Sequence, residues 1–195
     1  MRGERADAGF SLIELLVSLA LLSMVLGGLA GLLVQNSQIN RAEQMSAEVQ
    51  SNARNCLSMI VQALRTAGWD PRNAGFAAVA LDPSPSNTAN YIEVFADLNE
   101  DGDRSDAGED VTIRWNVDRI EWRTDPSQAY VILADSISND ADGDGTAETM
   151  FVADSATHPT RVTVRITARS PVPDPRSGQY IRYTVWSEVI LRKEV

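Results

Sequence analysis

The sequence predicts an α+β fold in which one long N-terminal helix packs on a C-terminal antiparallel β-sheet. Three observations predict it. Residues 10–34 form an apolar run, residues 39–67 repeat apolar side chains at steps of three and four, and several later segments alternate apolar with polar residues.

The first element starts at Phe10 and reads FSLIELLVSLALLSMVLGGLAGLLV to Val34, with Glu14 as its one charge. As a helix it rises about 37 Å, enough for a hydrocarbon core of about 30 Å. A secretory signal would have a shorter apolar stretch closed by a small-residue cleavage site. Here the run is longer and its helical pattern continues past Gln35, so the segment is expected to stay with the mature chain. A carboxylate at Glu14 costs on the order of 2.5–3.5 kcal/mol in a bilayer helix and therefore asks for a partner.

The helix continues as an amphipathic half over residues 35–68. Ile39, Ala42, Met45, Val49, Ala53, Cys56, Ile60, Ala63 and Ala67 mark one face, widened by Leu57, Val61 and Leu64. Gly68 and then Asp70-Pro71 stop it. Gly27, Gly28 and Gly31 weaken the apolar half and leave room for close helix packing.

Residues 69–195 form an acidic β-rich region. Val111–Val117 alternates through Val111, Ile113, Trp115 and Val117. Arg161–Ala168 alternates through Val162, Val164, Ile166 and Ala168, and Tyr180–Leu191 through Ile181, Tyr183, Val185, Val189 and Leu191. Weaker strands are expected at Tyr91–Ala96, Arg119–Arg123, Tyr130–Ala134 and Thr149–Ala153. Asp82–Asn90 and Ser170–Gly178 read as loops. One meandering sheet, covered by the helix stripe, satisfies this pattern.

Charge and composition narrow the chemistry. The net charge of −10 lies wholly in residues 70–195, with 22 acids and 12 bases, while residues 1–69 hold five of each. That balance argues against nucleic-acid binding, which needs clustered cations. A single cysteine, Cys56, excludes an internal disulfide and a thiolate zinc site, and reads as a buried small apolar group. A single histidine, His158, precedes Pro159 and reads as exposed. Trp69, Trp115, Trp122 and Trp186 read as core or subunit-contact aromatics. No base, nucleophile or substrate pocket is signalled, so no catalysis is expected.

Two acidic segments suggest a cation. Asp97-Leu98-Asn99-Glu100-Asp101-Gly102-Asp103 and Asp140-Ala141-Asp142-Gly143-Asp144-Gly145 each match the first half of a calcium loop, in which alternate oxygens converge and glycine allows the turn. The twelfth place, normally a bidentate glutamate, holds Gly108 and Phe151. Glu109 or Asp110 in the first loop and Glu148 in the second are the available substitutes. The expected ligands are thus Asp97, Asn99, Asp101, Asp103 and Glu109, and Asp140, Asp142, Asp144 and Glu148. A solvated Asp/Gly turn is the competing reading.

Gly9-Phe10-Ser11-Leu12-Ile13-Glu14, followed by the apolar helix, resembles the processing site of type IV prepilins and type II secretion pseudopilins. The resemblance implies removal of residues 1–9 by a prepilin peptidase cutting between Gly9 and Phe10, then N-methylation of Phe10. It also implies that Glu14 pairs with the N-terminal amine of a neighbouring subunit. The stretches Gln50–Arg54, Ala63–Pro71, Phe95–Asp103 and Gly108–Ile113 are similar to PilW-type minor pilins, with a GspJ-like pseudopilin as the near alternative. A minor pilin implies priming of assembly with other minor pilins and the major pilin, and a place at or near the tip. It implies residence in the inner membrane, with the C-terminal region periplasmic, before export into the pilus. A membrane-anchored, calcium-dependent surface binding module is a third reading, disfavoured because a plain anchor needs neither Gly9 nor Glu14.

Overall fold

The computed structural model describes residues 11–81 and 88–192. It has the predicted α+β architecture of a type IV pilin-like chain: one long helix, then antiparallel sheets. Helix α1 spans Leu12–Thr66 without interruption, including Gly27–Gly31. By contacts the chain divides into two units, residues 1–43 and 44–195.

In the first unit no residue of the apolar window is buried. In the second, burial begins at Val49 and follows the predicted stripe through Ala53, Cys56, Leu57, Ile60 and Leu64 to Ala67. Burial also pushes the Cys56 thiol up to about 12, so it behaves as a small apolar group.

The helix stops at Gly68, whose φ is +72°. The Gly68 amide donates to the Phe95 carbonyl at 2.9 Å, tying the helix end to a strand. An added Cβ there would lie 3.0 Å from Ala78 Cβ and 3.3 Å from the Arg192 carbonyl oxygen, so glycine is required on both conformational and steric grounds.

Nine strands follow among the described residues. They are β1 (Val79–Leu81), β2 (Thr88–Ala89), β3 (Tyr91–Phe95), β4 (Asp110–Asn116), β5 (Arg119–Arg123), β6 (Val131–Ala134), β7 (Phe151–Ala153), β8 (Arg161–Arg169) and β9 (Arg182–Ile190). They form two antiparallel sheets rather than the single meander expected, ordered β1-β3-β4-β5-β6 and β2-β7-β8-β9. Residues 136–139 link the sheets. Ile137 bridges to Ala168, the Ser138 amide donates to Thr167, and the Arg169 amide donates to Ser136.

One core serves the second unit, joining Ile60 and Leu64 of α1 to Ile92, Ile113 and Ile120 of the first sheet and Phe151, Val162, Val164 and Ile166 of the second. Two local departures have simple causes. Val117 was expected on the buried face but sits in the β4–β5 turn at φ +60° and 80% exposed. Thr112, expected outside, is buried and accepts from the Arg123 guanidinium at 3.1 Å.

Candidate functional site

Two regions concentrate the predicted site residues: the helix start and the acidic loops. Gly9 and Phe10 lie outside the described residues. From Ser11 onward the geometry is defined. The Glu14 carboxylate accepts the Ser11 backbone N–H at 3.0 Å, and Leu15 N–H donates to the Ser11 carbonyl at 3.2 Å. Ser11 is therefore the N-cap, and Glu14 reaches back from three residues inside the helix as in a capping box. The Ser-x-x-Glu spacing in the sequence is the signal for this cap. It gives Glu14 a bond within its own chain, on an exposed surface, besides any partner.

Beyond it, Leu12, Leu15, Leu16, Leu19, Leu22, Val25, Leu26, Leu29, Leu32 and Val34 are all exposed. Soluble proteins do not leave that much contiguous apolar surface uncovered, so this segment is built to be covered by lipid or by other chains.

The two acidic loops share a backbone plan. Counting from Asp97 and from Asp140, the fourth and sixth positions take positive φ in both: Glu100 (+64°) and Gly102 (+94°), and Gly143 (+85°) and Gly145 (+88°). In both, the first aspartate caps the turn. Asp97 accepts from the Asp101 and Gly102 amides at 3.1 and 3.0 Å, and Asp140 from the Gly143 and Gly145 amides at 2.6 and 3.3 Å.

What converges differs from the sequence expectation. In the first loop Asp101, Asp103, Asp106 and Glu109 bring ligand oxygens within 4.8 Å of one another. Asp106 lies outside the alternating pattern and is carried in by the turn Asp106–Glu109, in which the Glu109 amide donates to the Asp106 carbonyl at 3.1 Å. Asp97 stands outside that group, whereas Asp140, which caps its turn in the same way, belongs to the second. Asn99 joins through its amide nitrogen, which donates to Asp101 at 3.0 Å and to Asp106 at 2.6 Å. Glu109 is buried and accepts from the Leu98 and Asn99 amides at 2.7 and 3.0 Å. In the second loop Asp140, Asp142 and Asp144 converge, while Glu148 instead accepts the Ala141 amide at 3.0 Å.

Electrostatics set the loops apart from ordinary turns. Desolvation, then the negative charges of Asp101 and Glu109, push the Asp106 carboxyl above its usual value, whereas the Ser105 amide holds Asp103 below it. Asp97 and Glu109 are 0% and 1% exposed, and among the described residues neither has an ion-pair partner. Asp140 does have one, the Arg182 guanidinium at 3.6 Å.

The remaining singled-out residues are structural. Trp115 is half-buried and donates from Nε1 to the Ile137 carbonyl at 3.0 Å, and Trp69 lies under the Arg192 guanidinium. His158 is exposed. Trp186 is the exception, standing exposed on β9.

Neither a curated protein nor a solved structure matches the chain. Residues 5–30 match the family described as the prokaryotic N-terminal methylation motif. That motif covers the capped helix start and the uncovered apolar run, and it implies processing by a prepilin peptidase and assembly with other pilins. The chain therefore carries a type IV prepilin-like N-terminus ahead of an α+β module, the plan of a pilin or pseudopilin subunit.

Proposed function

We propose that this chain is a PilW-type minor pilin that helps prime type IV pilus assembly and sits at or near the pilus tip. The observation that carries the reading is the methylation motif over residues 5–30 running directly into an apolar helical window with no buried residue among those described. In this reading residues 1–9 are the leader, cut between Gly9 and Phe10, and Phe10 is then methylated. Residues 10–34 lie in the inner membrane and later in the filament core, residues 35–68 join them to the acidic β-rich region 69–195, and that region is periplasmic before it reaches the pilus. Glu14 exchanges its Ser11 bond for the positive amine of a neighbour, because a carboxylate in an apolar core needs an opposite charge. The chain is the substrate of a peptidase and performs no catalysis itself.

Deletion in the native host, scoring surface pili and type II secretion together, tests it. Loss of pili with secretion intact is expected. Loss of secretion with normal pili would replace the reading by a GspJ-like pseudopilin. Survival of both would favour a membrane-anchored surface binding module.

A second reading concerns the loops. We propose that calcium binds at Asp101, Asp103, Asp106 and Glu109, and at Asp140, Asp142 and Asp144, with Glu148 turning inward. The shared backbone plan and the convergence of the carboxylate oxygens to within 4.8 Å of one another in each loop favour it. Millimolar calcium is then expected to raise the unfolding temperature of the full chain, and Asp101→Ala and Asp144→Ala each to reduce that shift. An unfolding temperature indifferent to calcium would reject it.

A further inference from the structure

Strand β9 is unlike every other sheet edge in the described residues. The other edges are short: three residues in β1, two in β2, four in β6, the last beside a register shift at Ile120/Glu121. β9 runs nine residues, has no proline, and pairs with β8 in unbroken register from Arg161↔Ile190 to Arg169↔Arg182. Proteins blunt long flat edges unless something pairs with them.

Its hydrogen-bonding side can be read off. The Leu191 amide donates to Thr160 and the Ser170 amide to Ile181, so the odd-numbered residues of β9 bond to β8. The N–H and C=O groups of Arg182, Thr184, Trp186, Glu188 and Ile190 then point outward, and among the described residues no backbone bond involves them. Trp186 is 66% exposed and Ile190 77% exposed on the same strand.

The strand is also complementary to itself. Antiparallel pairing of two copies centred on Val185 sets Arg182 opposite Glu188 at both ends and Thr184 opposite Trp186 in between. These are all outward-bonding residues, so the unpaired groups meet in the hydrogen-bonded positions. Two opposite-charge cross-strand pairs result. At present Arg182 contacts Asp140 at 3.6 Å and Glu188 contacts Arg161 at 3.4 Å, so pairing across copies exchanges one ion pair for another at each end.

We propose that the outward edge of β9 is an interaction surface for a second copy of this chain, joined strand to strand about Val185. This inference does not depend on the N-terminal motif. The two copies of Val185 face each other at a non-hydrogen-bonded position, with Cα atoms about 4.5 Å apart, within disulfide range. Oxidising full-length Val185→Cys in detergent should yield a disulfide-linked dimer, while buried Cys56 stays out of the reaction. Glu188→Arg should abolish the dimer by setting two arginines opposite each other, and Arg182→Glu together with Glu188→Arg should restore it. Sedimentation of the chain without the new cysteine should follow the same loss and recovery, so poor packing of Val185→Cys would not decide the matter. A monomer in sedimentation, or a dimer indifferent to residue 188 and not linked at 185, would overturn the proposal.

Discussion

Two stretches of one helix, Leu12–Val34 and Val49–Leu64, have the same backbone and nearly opposite surroundings. In the first, the leucines and valines are exposed, with no face covered. In the second, Val49, Ala53, Cys56, Leu57, Ile60 and Leu64 vanish into a core shared with both sheets. The difference lies in patterning. An all-round apolar run has no polar face to leave in water, so it calls for lipid or other subunits. A stripe with Gln38, Arg41, Gln44, Glu48, Asn52 and Asn55 between its members can be satisfied by one sheet face. The chain thus stores its internal stability in the second stretch and its capacity to associate in the first.

Truncation breaks this comparison most directly. Leu64→Ala or Ile60→Ala removes a fully buried side chain and should cost about 2–5 kcal/mol of stability, read by thermal unfolding in detergent. Leu22→Ala, on the exposed stretch, should leave that transition in place and instead weaken membrane retention. Equal losses from the two would show that the stretches fold as one unit and that the contrast is false.

The boundary at the end of the covered stretch predicts a smaller loss. Gly68 combines φ +72° with atoms 3.0 and 3.3 Å from where a Cβ would stand, one of them a backbone oxygen. Gly68→Ala should cost on the order of 1–3 kcal/mol and loosen the tie to Phe95. An unchanged transition would mean that the helix end relaxes without affecting the strands.

At the start of the uncovered stretch the expected effect is local. Glu14→Ala removes the acceptor for the Ser11 amide and the carboxylate of the first turn, costing about 0.3–1 kcal/mol of helix-end stability. Hydrogen exchange should rise over the first turn and stay unchanged past Val49. Fraying that spread into the second unit would contradict the independence of the two stretches.

The sequence made the helix legible because its two hydrophobic patterns are long and its stop signals, Gly68 and Pro71, are unambiguous. It made β4, β5, β8 and β9 legible to within a residue or two through period-two alternation. It concealed β1 and β2, since Val79–Leu81 and Thr88–Ala89 are too short to show a period. It also concealed the division into two sheets, which depends on residues 136–139 crossing between them and on no local signal. In the acidic loops the spacing located the turns and six of the converging carboxylates, Asp101, Asp103, Glu109, Asp140, Asp142 and Asp144, and gave no sign of Asp106. Asp106 is brought in by the turn that follows the alternating pattern, a conformation that no spacing encodes. The cap at the helix start is legible as Ser11 and Glu14 three residues apart.

Acid should separate the loops from the sheets, with the smallest effect of all. Asp154 is held below the ordinary carboxylate range by the Thr160 hydroxyl and then the Thr160 and Arg161 amides. Asp70 is held low by the Gly75 and Ala74 amides, and Asp174 chiefly by the Arg176 amide. A carboxyl whose folded value is depressed supports the fold above its unfolded value, about 3.9, and that support is lost as pH falls through the lower folded value. All three groups are solvent-exposed, so screening keeps each contribution small and the loss local. Protection of the Thr160 and Arg161 amides, corrected for intrinsic exchange, should therefore fall as Asp154 is protonated, while Val162–Ala168 keep theirs. Asp110 runs the other way. Partial burial, then the Glu93 charge, raise its value, so protonation relieves a half-buried carboxylate at the head of β4 and offsets part of the loosening. Asp154→Asn should reproduce the acid effect at neutral pH and make those two amides insensitive to further acidification. If they still respond, another group governs the hairpin between β7 and β8.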